Sequence, residues 1–472
     1  MRTVAVLGGG IAGLSSAFFL SRMSLPNVSK IVVIEGSNRL GGWIQTQRLQ
    51  DGTVLEGGPR SFRGGGRAEA TTLELVDMLG MKDEIITVSK EKMRRRLFIN
   101  GKLKEFPQEF DKWNLTKAVL KGIFKDRWIL SPVEDESVHS FLSKRFGTNP
   151  EIMAFADSMF RGIFASSIAD ISYKFSLFGK SGCSSLIQLQ HQMKQTREEL
   201  KKHDCELVRR AAEEAWQIWN LRRGTGQLVE GLTDALLKDP RVEIKMDTPC
   251  QAMELDSTSA TLRSKDNDIL KADHVVSTVL SKNLASMLPA KHEELSDFLS
   301  RIPTVSVVVV NMVYDQDLEE VPQGFGHLLP TSEDPPILGV VYDSRVFPEL
   351  GPINTTRLTV MMGGAWMKEL EDRVGRLNDQ SVIKLTKEVL HQQLNIDASP
   401  VHTKVYYQMD CIPQHRVGHN KILQCIYSYI GEHQLPLTLA GCSYREVGVT
   451  GIIHDSFHQA LSLQQTLERN NL

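Results

Sequence analysis

The first thirteen residues constrain this chain more than any other stretch. Thr3-Val4-Ala5-Val6-Leu7 is a short apolar run rich in β-branched side chains, the composition of a strand buried on both faces of a parallel sheet. Gly8-Gly9-Gly10-Ile11-Ala12-Gly13 follows at once and fits G-x-G-x-x-G. Leu14 to Leu20 then reads as a helix with Leu14, Ala17 and Phe18 on one face, and a second apolar strand, Ile31-Val32-Val33-Ile34, ends in Glu35. Dinucleotide binding needs each part. Gly8 makes the tight turn, Gly10 lets backbone reach a pyrophosphate, and Gly13 lets helix settle on strand. The helix N-terminus at Ile11 and Ala12 faces the phosphates, and Glu35 binds ribose hydroxyls. An acid at that position favours a free 2′-hydroxyl, which disfavours NADP and leaves FAD or NAD.

The next segment chooses FAD. Arg39-Leu40-Gly41-Gly42, followed by Trp43, resembles the R-x-G-G signature of the flavoprotein amine oxidase superfamily, in which arginine and glycine backbone approach the flavin diphosphate. Glu56-Gly57-Gly58-Pro59-Arg60 is similar to that superfamily's second flavin-contacting loop. Later pieces resemble the rest of the same domain. They are the Gly-rich turn and helix of Trp219 to Leu232, the strand Val242-Glu243-Ile244 leading to Pro249 on the adenine side, and the strand at 272–278. Pro436 to Gly441 looks like the closing flavin motif, with a last helix at about 452 to 468. The resemblance implies an α/β fold: a discontinuous Rossmann-like FAD-binding domain (1–93, 206–297 and 406–472), a strand-rich substrate domain (298–405) and a helical membrane-binding insertion (94–205).

A length of 472 residues suits about three such units. A formal net charge of −2 removes any broad electrostatic case for nucleic acid. No stretch approaches the roughly 20 consecutive apolar residues of a membrane-spanning helix. The six cysteines form no CxxC pair and the 13 histidines no HExxH, so no metal is expected.

Several further blocks narrow the resemblance to the protoporphyrinogen oxidase family of the animal mitochondrial type. Among them are Arg161-Gly162-Ile163-Phe164-Ala165, Gln323-Gly324-Phe325-Gly326-His327-Leu328, Ser332-Glu333-Asp334-Pro335, Val360-Met361-Met362-Gly363-Gly364 and Cys411-Ile412-Pro413-Gln414. That family removes six electrons from a porphyrinogen in two-electron steps, passing them through FAD to oxygen with release of hydrogen peroxide. The protein's main task is then to hold a flat apolar macrocycle against the flavin. Phe325, Leu328, Met361 and Ile412 suit that task, and Gly162 would lie over the ring. Arg95, between Arg94 and Arg96, would pair a propionate bidentately. His327 reads as a structural hydrogen-bonding histidine. The resemblance further implies non-covalent FAD, a homodimer, product hand-off to ferrochelatase, and a place on the mitochondrial inner membrane facing the intermembrane space. No cleavable presequence is read, because Met1-Arg2 runs straight into the first strand.

Two features complicate the reading. Gly441 is followed by Arg445-Glu446-Val447-Gly448-Val449-Thr450-Gly451, which departs from the family pattern. Val447 and Val449 are expected cofactor contacts, while Glu446 replaces a glycine near the flavin and would repel a pyrophosphate unless it turns away. The stretch Asp111 to Leu130 places Lys117, Lys121 and Lys125 on one stripe, with Trp113, Leu120, Ile123, Phe124 and Trp128 as apolar partners. This is the pattern of an interfacial helix. The competing readings are an FAD-dependent amine oxidase, with Cys411 near the place where some attach flavin, and a catalytically weak FAD-binding scaffold.

Overall fold

A computed structural model describes residues 1–126, 135–176 and 186–469. Trp128 and Cys183 lie outside the described residues. The nucleotide half is a five-stranded parallel sheet in the order Val242–Lys245, Val28–Ile34, Arg2–Leu7, His274–Ser277, Leu437–Leu439. Alternation along the first strand explains why this sheet is buried on both sides. Val4 and Val6 enter one core with Leu14, Phe18, Ile31, Val33 and Leu228. Ala5 and Leu7 enter the opposite core with Val32, Ile34, Val275 and Ile426. Helix Ile11–Arg22 covers the first face, and the closing helix, Val449–Arg469, lies against it.

The second half is a seven-stranded sheet in the order His402–Pro413, Thr304–Tyr314, Thr356–Gly364, Ile337–Val341, Gly326–Leu328, Arg95–Ile99, Lys102–Phe106. The strands expected at Val305, Gly339 and Leu358 are its centre. Its last two members come from the segment assigned to the helical insertion from residue 94, within which Leu97-Phe98-Ile99 alone reads as a strand. They form a hairpin because Asn100 (φ 54°) and Gly101 (φ 70°) both take the left-handed conformation that a two-residue type I′ turn demands. Leu97, fully buried, joins the hairpin to the sheet through Leu328.

Beyond the hairpin the segment is helical: Lys112–Asp126, Val138–Phe146, Pro150–Phe164, Leu186–Leu200 and Glu206–Glu213. Asn149 caps the third of these, accepting from the Ile152 N–H, and Pro150 starts it. The second and third of these share a small core of Val138, Phe141, Leu142, Phe160 and Phe164, while Leu200, Leu207, Val208 and Ala211 of the last two join the nucleotide core.

Candidate functional site

The turn after the first strand is shaped by glycine backbone. Gly8 sits at φ +107° and donates its N–H to Ile34 O at 2.8 Å. A Cβ on Gly13 would lie 1.8 Å from Gly8 O, so helix and turn meet only without one. Gly10 caps helix Ile11–Arg22 with no side-chain cap bond, and the first turn carries no acid. The first amides of that helix are therefore available to an anion, favoured by the positive end of the helix dipole. A Cβ on Gly10 would touch only Gly42, at 3.6 Å, leaving the space above the helix clear.

A second glycine loop closes the other side. Gly41 (φ +103°) donates to Gly9 O at 2.9 Å, and Gly42 takes φ +58°. Arg39 folds onto its own loop, with Nη2 donating to Gly42 O at 2.5 Å. Glu35 accepts from Gly9 N–H at 2.7 Å, from Ser37 N–H at 2.8 Å and from Ser37 Oγ at 2.7 Å. Its half-buried carboxylate is thereby fixed at the end of the second strand. Pro249 closes on Gly36 just beyond, 3.3 Å from where a Cβ would stand.

The third loop carries a residue that reading for cofactor contacts passed over. Glu56 is buried and accepts Thr46 Oγ1 at 2.6 Å, Thr225 N–H at 2.7 Å and Thr225 Oγ1 at 2.9 Å. Burial pushes its pKa up to about 7 against the pull of those donors and of Arg60. Its own carbonyl accepts Asn311 Nδ2 at 3.1 Å, which ties the flavin loop to the second sheet. Gly57 and Gly58 follow in places where a Cβ would strike the Tyr406 ring at 2.5 Å and Trp43 O at 1.9 Å. Pro59 O accepts Thr225 Oγ1 at 3.0 Å. Arg60 pairs with Asp343 at 3.0 Å beside a cavity of about 20 Å³ that Glu56, Asn311 and Arg357 also line.

One face of the seven-stranded sheet gathers the apolar candidates. Register places Leu328, Gly339, Met361, Val309 and Tyr406 in one row across it. Met361 and Ile412 rest on the cluster of Val307, Val309, Leu338, Trp366 and Tyr406. Gly162, on helix Pro150–Phe164, approaches this row so closely that a Cβ would lie 2.7 Å from Leu328 Cδ2. Phe325 falls in a neighbouring cluster with Val54, Ile86, Val346 and Phe347. Arg95 pairs in register with Gly326 at the edge of the row. Its exposed guanidinium reaches Met159 Sδ at 3.9 Å and has no carboxylate partner among the described residues. The surrounding protein and the charge of Arg63 both lower its pKa. Arg96 faces away and is held by Gln323 O and by Glu105 at 3.3 Å. His327 is on the opposite face, bonded to Tyr342 Oη and Gln393 Oε1, each at 2.7 Å, and burial lowers its pKa to about 4. It is a structural histidine, as its sequence context suggested.

The closing motif completes the cradle. Gly441 (φ +99°) stands at the end of strand Leu437–Leu439, where a Cβ would lie 3.2 Å from Thr278 O and 3.5 Å from Ala12 Cβ. Val447 packs against the helical cluster and Val449 opens the last helix. Glu446 reaches toward the helix that follows. Its carboxylate lies over Gly451, where a Cβ would be 2.3 Å from Oε2, in the first turn of that helix. The N-terminal end of a helix is the place where a negative charge is best tolerated.

Uncapped helix amides, glycine backbone on three loops and a fixed acid suit an extended dinucleotide. The apolar sheet face beside them suits a broad flat substrate. The family model for flavin-containing amine oxidoreductases matches residues 11–462. Protoporphyrinogen oxidase of Macaca fascicularis is 37% identical, over 98% of this chain and 99% of its own length. The Bos taurus protoporphyrinogen oxidase is also 37% identical, over the full length of both. Among solved structures, a bacterial protein from Exiguobacterium sp. 255-15, provisionally named a protoporphyrinogen oxidase, superposes with a TM-score of 0.79. It is 20% identical and covers 98% of this chain and 99% of its own, a likeness of fold.

Proposed function

The chain belongs to the protoporphyrinogen oxidases within the flavin-containing amine oxidoreductase family, and from that premise we propose that it oxidises protoporphyrinogen IX to protoporphyrin IX in the penultimate step of haem biosynthesis. The observation that carries this reading is the 37% identity sustained over the full length of the bovine relative. FAD, when bound, supplies the two-electron acceptor for each step and the route to molecular oxygen and hydrogen peroxide. The chain's own residues do the positioning. The glycine loops hold the cofactor, Leu328, Met361 and Ile412 offer the apolar wall, and Arg95 meets a propionate. The test is direct: protoporphyrinogen IX added to the flavin-loaded protein should give porphyrin fluorescence together with peroxide. Flavin-loaded protein that produces neither would overturn the proposal.

The cofactor is held without a covalent bond. Cys411, the residue that kept an amine oxidase reading open, has its thiol buried against Val305 O and pushed up to about 12. A protonated thiol is a poor nucleophile. Acid precipitation should therefore leave the yellow colour in the supernatant, and a yellow pellet would reject this.

The site of action is the surface of the mitochondrial inner membrane, on the intermembrane-space side, with two copies forming a dimer that passes product to ferrochelatase. Support for the membrane contact comes from helix Lys112–Asp126. Leu115 and Ala118 face inward, and Gly122 packs on the Phe146 ring. Trp113, Leu120 and Phe124 nevertheless point outward, 77%, 62% and 63% exposed, beside Lys117, Lys121 and Lys125. Outward aromatics among lysines suit a lipid interface. Among the described residues no helix is long and apolar enough to cross a membrane.

A further inference from the structure

The loop after Gly441 is gripped by a pair of histidines that no sequence motif marked. Strand His402–Pro413 ends in a turn that brings His415 and His419 under this loop. Both rings are buried, stacked 4.3 Å apart at 19°. Nε2 of His415 lies 3.0 Å from Cys442 O, and Nε2 of His419 lies 2.8 Å from Tyr444 O. A carbonyl oxygen only accepts, so the partner assigns the proton to Nε2 in both rings. Burial holds His419 neutral, its pKa lowered to about 4, so this fixes its tautomer.

The pair is in turn seated by the helical insertion. Phe175 stands edge-on to both rings, at 5.5 Å and 4.7 Å. Ser172 N–H donates to His415 O at 2.9 Å. Asp135 accepts Ser172 Oγ at 2.6 Å and Gly418 N–H at 2.9 Å, at the start of the helix that carries His419. Three separate parts of the chain thus converge on two carbonyls next to Gly441, which itself lies against Ala12 of the phosphate turn.

We propose that His415 and His419 are positioning residues for FAD, fixing the 441–444 loop through two donated N–H groups and linking that loop to the helical insertion. This rests on reading the glycine cradle as the FAD site. Loss of a buried donor strands the opposing carbonyl, so the loop should loosen while the rest of the fold persists.

The experiment uses the full chain with FAD. His419→Leu should raise the FAD dissociation constant about tenfold or more and shift the flavin midpoint potential, with apoprotein melting little changed. His419→Gln, whose amide can place an N–H near the position of Nε2, should stay within about threefold of wild type. A folded His419→Leu protein with wild-type FAD affinity and potential overturns the proposal. So does a glutamine variant no better than leucine, which would assign the effect to ring packing. If the leucine variant does not fold, the His415→Gln/His419→Gln double variant decides: near-normal FAD binding supports the proposal, and FAD loss from a folded protein rejects it. Wild-type protein that binds FAD but leaves porphyrinogen unoxidised would sink the enzymatic reading alone. Wild-type protein that binds no FAD would remove the premise here.

Discussion

The phosphate cradle and the substrate-facing sheet are built on opposite terms. At two cradle glycines the obstacle is backbone: a Cβ on Gly13 would meet Gly8 O at 1.8 Å, and one on Gly58 would meet Trp43 O at 1.9 Å. At Gly162, over the sheet face, it is a side-chain end, Leu328 Cδ2 at 2.7 Å. Backbone cannot yield without dismantling a turn, whereas a leucine can rotate. Those two cradle positions are therefore intolerant of a side chain, and the wall under Gly162 can be resized.

The sharpest break of this contrast is Gly13→Ala. It should cost about 3 kcal/mol or more, at the upper end for overpacking, and should abolish flavin retention, read by chemical denaturation and flavin absorbance. A stable, yellow Gly13→Ala protein would show that the helix can retreat from the turn after all.

Glu56 tests the cradle by pH. Its carboxyl titrates near 4.5 in the unfolded chain and near 7 in the fold, so between those values the folded state holds the extra proton. Its contribution to stability is therefore lost as pH rises from about 4.5 to 7, by about 3 kcal/mol in all. Half-buried His274 and buried His327 and His419, with pKa values lowered to about 4, slope the other way, losing stability as pH falls below about 6.5. The difference between wild-type and Glu56→Gln denaturation curves across this range isolates the carboxyl. Parallel curves would mean that Glu56 is ionised throughout.

On the substrate side, Arg95→Ala should weaken apparent porphyrinogen affinity by about 1.5–3 kcal/mol, the range for hydrogen bonds to charged groups. The loss should fall mainly on KM, because a propionate contact holds ground state and transition state alike. Arg96→Ala should leave KM unchanged, since Arg96 is already engaged by Glu105 and Gln323 O. The reverse result would move the propionate contact by one residue. The smallest effect is expected from Gly162→Ala, under about 1 kcal/mol in stability with a modest change in KM, because Leu328 can shift. A loss as large as that from Gly13→Ala would erase the distinction between the two regions.

What the sequence disclosed follows the same division. The first strand, turn, helix and Glu35 were legible because their interactions join neighbours, and glycine requirements are written in the residues themselves. The Asn100-Gly101 turn was equally local, yet the helical character of the segment beyond it drew the boundary at residue 94, ahead of two sheet strands. The rest was not readable. Glu56 meets Thr225, 169 residues away, and its carbonyl meets Asn311, 255 residues away. His415 and His419 bond carbonyls, which every residue carries, so nothing in their targets could signal them. Phe325 and Leu328 share a motif, yet Phe325 enters the Val346 and Phe347 cluster while Leu328 lies in the sheet row with Met361; between them Gly326 takes φ +148°.

The two ends of the chain meet in the nucleotide half. Ser456 on the closing helix donates to Ala12 O at 3.2 Å, and Phe457 sits edge-on to Phe19 at 5.2 Å. At roughly 5–20 residues per second of synthesis, the phosphate helix emerges from the ribosome about 20–90 seconds before the helix that covers it. Throughout that interval the flank of Ile11–Arg22 that this helix will cover has no lasting partner. This half of the molecule cannot mature domain by domain as it is made, and its completion waits for the closing helix to arrive.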